Sequence, residues 1–210
     1  MEKKGCVVCN GEIGDYEMAK KRIASCDVII AADGGYRHLQ AMGIVPDAIV
    51  GDMDSIGDDF QPETDEIEII RFPEKKDETD AQLAVEIAFN RGCKDVILVG
   101  AVGGRVDHFL GNMSLLTKYP GRLSIVDEDA MLIVADAAHP FEFRAKPTSV
   151  VSLIPVPFAK QVTTEGLQYA LLKQDMTSGT RGISNVLRGS RGKVRLEGGL
   201  LLVYVDRWRA

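Results

Sequence analysis

The sequence predicts an α/β fold in which an N-terminal parallel-sheet α/β domain is followed by a smaller all-β sandwich domain. In the first part, apolar runs of strand length alternate with helical patterns, which is typical of a parallel sheet with helices on its faces. After about residue 138, four prolines between residues 140 and 157 argue against long helices, while strand-like runs continue. We therefore predict one domain over residues 1–138 and a second over residues 139–210.

Five apolar runs in the first part have the length of buried strands. The run at 28–32 is the clearest, since a continuous apolar segment is typical of a strand covered on both faces. Cys6 and Cys9 fall in the first run, and we interpret them as buried strand residues because no second C-x-x-C completes a zinc site. The predicted strands cover residues 5–9, 28–32, 48–50, 67–70 and 96–99.

Four segments between these strands have helical signals. Asp15 is a typical N-cap residue for the first helix. Thr79 and Gln82 form a capping-box pattern at the start of the third and clearest helix. The predicted helices cover residues 15–24, about 36–42, 80–91 and 107–118.

The second part contains only strand-like runs. We predict strands over residues 149–154, 192–196 and 200–205. Gly198-Gly199 lies between the last two runs and predicts a tight hairpin that joins them.

Composition excludes several classes of function. The chain has 210 residues and a net charge of −6, which argues against non-specific nucleic-acid binding because such binding depends on Lys and Arg neutralising phosphates. No apolar run approaches the ~20 residues that span a membrane. The apolar run after the N-terminal Met-Glu-Lys-Lys is too short for a signal-peptide core. We expect a cytoplasmic protein without nucleic-acid or membrane partners.

The segment Gly51-Asp52-Met53-Asp54-Ser55 places two carboxylates directly after an apolar run. In extended backbone, residues i and i+2 point to the same side, so we expect Asp52 and Asp54 to face one point. Like charges that close repel each other, and a hard cation between them removes that cost. Because Mg²⁺ is the usual oxygen-liganded cation beside phosphates, these two residues are candidate metal ligands.

Further aspartates follow the other predicted strands. Ligands of an open parallel sheet bind beyond the carboxyl ends of its strands, where neighbouring ends converge. We therefore expect six aspartates to share one cleft and to need a cation between them. They are Asp33, Asp52, Asp54, Asp77, Asp80 and Asp107.

Each of these acids also has a purely structural alternative. Asp80 falls in a first helical turn, where any acid gains ~0.3–1 kcal/mol from the helix dipole. Asp107 suits an N-cap, and Asp33-Gly34-Gly35 suits a turn. Their occurrence together at one predicted edge of the sheet favours a functional site.

Two glycine pairs and an arginine suit the binding of an anion. Gly34-Gly35 and Gly103-Gly104 allow backbone N–H groups to approach phosphate closely. Arg105 follows the second pair and has the fork that binds phosphate oxygens. Its alternative is a surface ion pair with a neighbouring aspartate, which contributes little.

Five short motifs occur in order and span about residues 32 to 205. They are Ala32-Asp33-Gly34-Gly35; Pro46-Asp47 with Gly51-Asp52-Met53-Asp54-Ser55; Asp77-x-Thr79-Asp80; Gly103-Gly104-Arg105-x-Asp107-His108 with Asn112; and Ser184-Asn185. By these motifs the chain resembles the bacterial thiamine pyrophosphokinase family. Each motif alone is short, but five in the same order are fairly specific.

The resemblance implies a homodimeric enzyme that transfers the pyrophosphoryl group of ATP to the hydroxyethyl group of thiamine and releases AMP. It implies that residues 1–138 bind nucleotide and metal and carry the catalysis, while residues 139–210 contribute to substrate binding and dimerisation. It also implies that Asp52, Asp54 and Asp80 bind Mg²⁺.

The resemblance extends to the binding residues. For the nucleotide and its phosphates it implies Asp33, Ser55, Thr79, Arg105 and Asp107, to which our own interpretation of the glycine pairs adds Gly34, Gly35, Gly103 and Gly104. For thiamine it implies Ser184 and Asn185, which reach in from the partner subunit.

We predict an in-line attack of the thiamine hydroxyl on the β-phosphorus, with Asp80, Arg105 and Asp107 as catalytic residues. Arg105 supplies a fixed positive donor, and Asp107 accepts or orients the hydroxyl proton. Lys76, beside the third motif, is either a phosphate contact or a solvated charge. Two other functions remain open: a Mg²⁺-dependent nucleotide hydrolase that acts without thiamine, and a non-catalytic ATP-binding sensor module.

Overall fold

The structure, a computed structural model, describes residues 2–53, 64 and 66–209. The chain divides into two compact units, Met1–Leu115 with Val126–Glu128 and Leu116–Ile125 with Asp129–Ala210. The predicted fold class is confirmed, because a parallel sheet with helices is followed by a β-rich unit. The domain boundary at residue 138 stays a prediction, since the two units interleave in sequence between residues 115 and 129.

The sheet of the first unit is parallel throughout the strand pairs β5-β1-β2-β3-β4. Its strands are β1 (Lys4–Val8), β2 (Val28–Ala32), β3 (Ala48–Gly51), β4 (Glu68–Arg71) and β5 (Asp95–Val99). Each begins and ends within one residue of the prediction. The continuous apolar runs are buried because helices cover parallel strands on both faces.

Four helices connect these strands: α1 (Tyr16–Ile23), α2 (Gly35–Met42), α3 (Asp80–Asn90) and α4 (Val106–Lys118). The predicted N-cap of α1 is confirmed, since Met18 N–H donates to Asp15 Oδ1 at 2.9 Å. At α3, Gln82 N–H donates to Thr79 Oγ1 at 3.2 Å. The amide nitrogen of the Gln82 side chain donates to Glu86 Oε1 at 3.1 Å, one turn further along the helix.

The second unit is built from strands. Strand β6 (Leu123–Asp127) falls where the two units divide in sequence. The strands that follow are β7 (Ala130–Ala135), β8 (Phe141–Ala145), β9 (Val150–Glu165), β10 (Gln174–Thr177), β11 (Asn185–Val186), β12 (Arg191–Arg195), β13 (Gly198–Val205) and β14 (Trp208–Arg209).

The predicted hairpin at Gly198-Gly199 is wrong. Strands β12 and β13 are not neighbours, because the 16-residue strand β9 lies between them. The first part of β9 pairs with β13, and its last residues pair with β12. The predicted strand over residues 149–154 covers only the first part of β9, and a di-glycine between the two short runs at 192–196 and 200–205 then favoured a local turn.

Each unit has its own hydrophobic core. In the first unit, residues of β1, β2, β3 and β5 pack with α1 and α2, and this core includes Cys6. Cys9 is also buried, and burial raises the pKa of its thiol to about 12. The core of the second unit draws residues from β7, β8, β9, β12 and β13, with Trp208 packed against it. Within the described residues, no helix is both long and apolar enough to cross a membrane.

Candidate active site at the carboxyl edge of the parallel sheet

A cleft of about 720 Å³ opens in the first unit at the carboxyl ends of β1, β2, β3 and β5. This is where an open parallel sheet binds its ligands. Residues from the segments after these strands and after β4, and from α3 and α4, line it. They are Cys9, Asn10, Gly11, Ala32, Asp33, Asp52, Glu74, Lys76, Glu78, Thr79, Asp80, Ala81, Gly100, Ala101, Gly103, Gly104, Arg105, His108 and Asn112.

Three aspartates meet in this cleft and form what we call the three-aspartate cluster: Asp33, Asp52 and Asp80. Asp33 follows β2, Asp52 follows β3, and Asp80 begins α3. One carboxylate oxygen from each lies within 4.8 Å of the others, a grouping that suits a metal ion. Asp33 is buried at 8% exposure, and the side chains of Asp52 and Asp80 are partly buried at 17% and 26%.

The backbone at the cluster differs from the extended geometry that we expected. Met53 has φ +71° and Asp33 has φ +42°, both in the left-handed region that non-glycine residues seldom adopt. We expected extended backbone to direct Asp52 and Asp54 to one point, but the backbone after β3 is not extended at Met53. Asp54 and Ser55 themselves lie outside the described residues. Strained backbone of this kind is concentrated at functional sites.

Asp77 and Asp107, two of the six aspartates that were expected to converge, are not among the described residues that line the cleft, so a place for them in the site stays a prediction. Asp77 lies in the exposed segment before α3, three residues ahead of the acid that does enter the cluster. Asp107 lies in the exposed first turn of α4. The strand-end rule places segments at one edge, but it does not decide which side of a loop each acid faces.

Repulsion within the cluster is partly offset by Lys76. Two like unit charges ~5 Å apart repel by about 3 kcal/mol at an effective dielectric constant of ~20. Lys76 Nζ lies 3.0 Å from Asp80 Oδ1 and 3.8 Å from Asp52 Oδ2. Asp80 Oδ1 has no hydrogen-bond partner in the described part of the chain, so its contact with Lys76 is an ion pair only. Lys76 is therefore not a solvated surface charge.

A second charged group at the cleft is the exposed Arg105–Asp107 pair. Arg105 Nε and Nη2 donate to the two carboxylate oxygens of Asp107 at 3.1 and 2.6 Å. The hydrogen bond from Arg105 lowers the pKa of Asp107 to about 2, and the same bond raises the pKa of Arg105. Asp107 uses one N–H on each of two guanidinium nitrogens, so three of the five N–H groups of Arg105 remain available to an anion.

The two glycine pairs have different structural roles. Gly103 and Gly104 line the cleft with φ of +81° and +69°, and a Cβ on Gly104 would meet nothing within 4 Å. Neither Gly34 nor Gly35 is among the described lining residues. A Cβ on Gly35 would overlap the carbonyl oxygen of Val8, so this glycine is required for α2 to pack against β1.

Sequence reasoning missed part of the lining. Asn10 follows β1 at the same edge of the sheet, so the strand-end rule that selected the aspartates also selects it. Asn112 was noted only within a motif. It is buried, and its Nδ2 donates to the carbonyl oxygen of Ala101 at 3.1 Å, which ties α4 to the segment after β5.

Ser184 and Asn185 belong to the second unit. Asn185 is buried, and its side chain is engaged in the local loop. Its Oδ1 accepts from the backbone N–H groups of Tyr169 and Val186 at 3.0 and 2.8 Å, and its Nδ2 donates to the Tyr169 carbonyl oxygen at 2.8 Å. Ser184 is exposed and has φ +61°. The amide of Asn185 thus holds the loop that presents Ser184.

A parallel sheet with an acid-lined, glycine-rich cleft at its carboxyl edge is typical of enzymes that transfer phosphate groups. The family model described as "Thiamin pyrophosphokinase, catalytic domain" matches residues 19–127. A second, described as "Thiamin pyrophosphokinase, vitamin B1 binding domain", matches residues 138–201. The chain belongs to the thiamin pyrophosphokinase family. It is therefore a kinase-type transferase of thiamine metabolism.

Individual relatives agree with this assignment. The thiamine pyrophosphokinase of Bacillus subtilis is 29% identical over 185 residues, which cover 83% of this chain and 85% of the relative. Thiamine pyrophosphokinase 1 of Arabidopsis thaliana is 29% identical over 171 residues, 74% of this chain and 64% of the relative. The crystal structure of the Bacillus subtilis enzyme superposes with a TM-score of 0.83 at 26% identity, covering 97% of this chain and 99% of that one.

Proposed function

We propose that this chain transfers the pyrophosphoryl group of ATP to the hydroxyl of thiamine, giving thiamine pyrophosphate and AMP. The observation that carries the proposal is the three-aspartate cluster, with its carboxylate oxygens within 4.8 Å of one another in a cleft that Arg105 also lines. Such a cleft combines anionic ligands for a metal with a cationic donor for phosphate, and phosphoryl transfer needs both.

The residues of the cluster fit Mg²⁺. Three carboxylates that are poorly solvated and partly neutralised offer the oxygen ligands that a hard divalent cation prefers. We propose Asp33, Asp52 and Asp80 as the ligands, which adds Asp33 to the set that the resemblance implied. Asp54 stays a predicted fourth ligand. Bound Mg²⁺ neutralises charge on the phosphate oxygens.

The chain's own residues then position and stabilise the reacting groups. The thiamine hydroxyl oxygen forms a bond to the β-phosphorus of ATP, the bond from this phosphorus to the oxygen that bridges to the α-phosphate breaks, and AMP leaves. The hydroxyl proton passes to solvent. We propose that Arg105 binds the transferring phosphates through its three remaining N–H groups. With a pKa of about 2, Asp107 is a weak base near neutral pH, so we assign it to orienting Arg105 and the hydroxyl.

The other predicted binding residues keep their proposed places around the nucleotide and thiamine. Gly103, Gly104 and Thr79 line the cleft and suit the phosphates. Ser184 suits a direct contact with thiamine, and Asn185 acts as a positioning residue because its amide is already bonded to the loop. The homodimer, with Ser184 supplied by the partner subunit, and the cytoplasmic location remain part of this proposal.

Product analysis tests the reaction. The purified protein is incubated with ATP, thiamine and Mg²⁺, and nucleotides and thiamine esters are separated by chromatography. We expect AMP and thiamine pyrophosphate in equal amounts, and neither without thiamine. Release of ADP would contradict pyrophosphoryl transfer. Phosphate or pyrophosphate released without thiamine would indicate the nucleotide hydrolase, and ATP binding without turnover would indicate the sensor module.

A further inference from the structure

Lys76 extends its ammonium group into the three-aspartate cluster. Its Nζ lies 3.0 Å from Asp80 Oδ1 and 3.8 Å from Asp52 Oδ2, and it donates to the carbonyl oxygen of Pro73 at 3.2 Å. The Lys76 side chain is only 12% exposed. Water and salt therefore screen these ion pairs much less than they screen pairs on the surface.

The ammonium contacts two of the carboxylates that are grouped for a metal ion. Asp80 Oδ1 has no hydrogen-bond partner in the described ranges, so the Lys76–Asp80 contact depends on charge rather than on directed bonding. An ammonium is a compact point charge on a flexible stem, and it can leave without breaking a geometric fit.

The segment that carries Lys76 can allow such a movement. Residues 72–79 lie between β4 and α3 and contain neither helix nor strand. The same segment contributes Glu74, Glu78 and Thr79 to the lining of the cleft, so it faces the space where phosphates would enter. A short movement would carry the ammonium from the carboxylates to a phosphate oxygen in that space.

We propose that Lys76 is the counter-cation of the three-aspartate cluster in the nucleotide-free protein. When a nucleotide phosphate binds the Lys76 ammonium, a divalent cation replaces the ammonium among the carboxylates. The inference rests on the proposed function and deepens it by making metal binding depend on nucleotide. The ammonium and a metal ion repel each other at the same oxygens, so the metal alone binds weakly. An entering phosphate removes this competition. By linkage, metal and nucleotide then strengthen each other's binding equally.

Calorimetric titration tests the exchange without turnover. Mg²⁺ is titrated into the nucleotide-free wild-type protein and into Lys76→Met, and again in the presence of α,β-methylene-ATP, whose bridge between the α- and β-phosphates cannot be cleaved in this reaction. Lys75→Met is the matched control, because Lys75 is exposed and adjacent. We expect Lys76→Met to bind Mg²⁺ alone about tenfold more tightly than wild type, and the analogue to strengthen Mg²⁺ binding less than in wild type. Lys75→Met should behave as wild type.

Lys76→Met with Mg²⁺ affinity equal to or below that of wild type would overturn the inference. Asp80→Asn separates this failure from failure of the proposed function. If Asp80→Asn loses Mg²⁺ binding in the presence of the analogue while Lys76→Met matches wild type, only the role of Lys76 is wrong. If Asp80→Asn binds Mg²⁺ as wild type does, the metal site is wrong and the inference falls with it. Lys76→Gln provides the same test if the Met variant does not fold, with the rise in melting temperature on adding Mg²⁺ as the readout.

Discussion

The cleft combines two charged groups that differ in burial and in charge balance. The three-aspartate cluster brings three carboxylates together with one lysine, and its members are largely withdrawn from water. The exposed Arg105–Asp107 pair balances one acid with one base, and each side chain is more than 60% exposed. Unbalanced buried charge is costly and persists only where the fold enforces it, whereas a balanced exposed pair forms and breaks at little cost. This difference supports our proposal that the cluster binds the metal and the pair positions phosphate.

The largest effect expected from this comparison is the loss of activity on changing Asp80 to Asn. The substitution removes one charge of the proposed metal site without changing shape, so we expect kcat/KM to fall by about 10³-fold or more while the circular dichroism spectrum stays that of wild type. Asp77→Asn is the control, because it changes an acid of the same motif that does not line the cleft. Equal losses in the two variants would show that charge in the motif as a whole, rather than the cluster, supports activity.

A smaller effect is expected when the two glycine pairs, Gly34-Gly35 and Gly103-Gly104, are compared by the free energy of unfolding of their variants. Gly35→Ala forces a methyl group into the carbonyl oxygen of Val8, and we expect the free energy of unfolding to fall by about 3 kcal/mol. Gly104→Ala has open space at that position and only a left-handed φ, so we expect a loss of about 1 kcal/mol. Urea unfolding of both variants measures the difference. A greater loss for Gly104→Ala would contradict a packing role for Gly35.

The smallest effect should come from Asp107. Because phosphoryl transfer needs little from a base, we expect Asp107→Asn to lower kcat by about tenfold at most. The pKa of Asp107 is lowered to about 2 in the folded state, so its ion pair stabilises the protein fully above the unfolded pKa of ~3.9 and is lost as the pH falls towards 2.

The pH dependence checks this assignment of Asp107. Between about pH 5 and 9 the carboxylate stays ionised, so plots of kcat/KM against pH should have the same shape in wild type and Asp107→Asn. An acidic limb in this range that disappears in Asp107→Asn would show that Asp107 acts as a general base with a higher pKa in the substrate complex.

Local patterns predicted the elements of the first unit closely. Its strands and helices begin and end within one residue of the prediction, because buried parallel strands and capped helices are specified by nearby residues. The same approach failed at Gly198-Gly199. There the partners of β13 are β9 and β7, both more than 30 residues earlier in the chain, and no local signal identifies them.

The candidate site was predicted to a similar extent. Strand ends placed Asp33, Asp52 and Asp80 at one edge of the sheet, and they meet there. From the sequence, Lys76 was either a phosphate contact or a solvated charge. In the structure its ammonium lies between Asp52 and Asp80. Which acids turn inward depends on backbone angles such as the left-handed Asp33 and Met53, which burial and packing impose against their intrinsic preference.

By itself, the sequence determined the α/β class of the first unit, the order of its elements and the edge at which its acids gather, because all three follow from hydrophobic periodicity and the direction of parallel strands. The tertiary structure was needed to show that Lys76 lies between Asp52 and Asp80, that the Arg105 fork is engaged by Asp107, and that β9 separates β12 from β13. These depend on side-chain direction and on contacts between residues distant in the chain, which local sequence patterns do not specify.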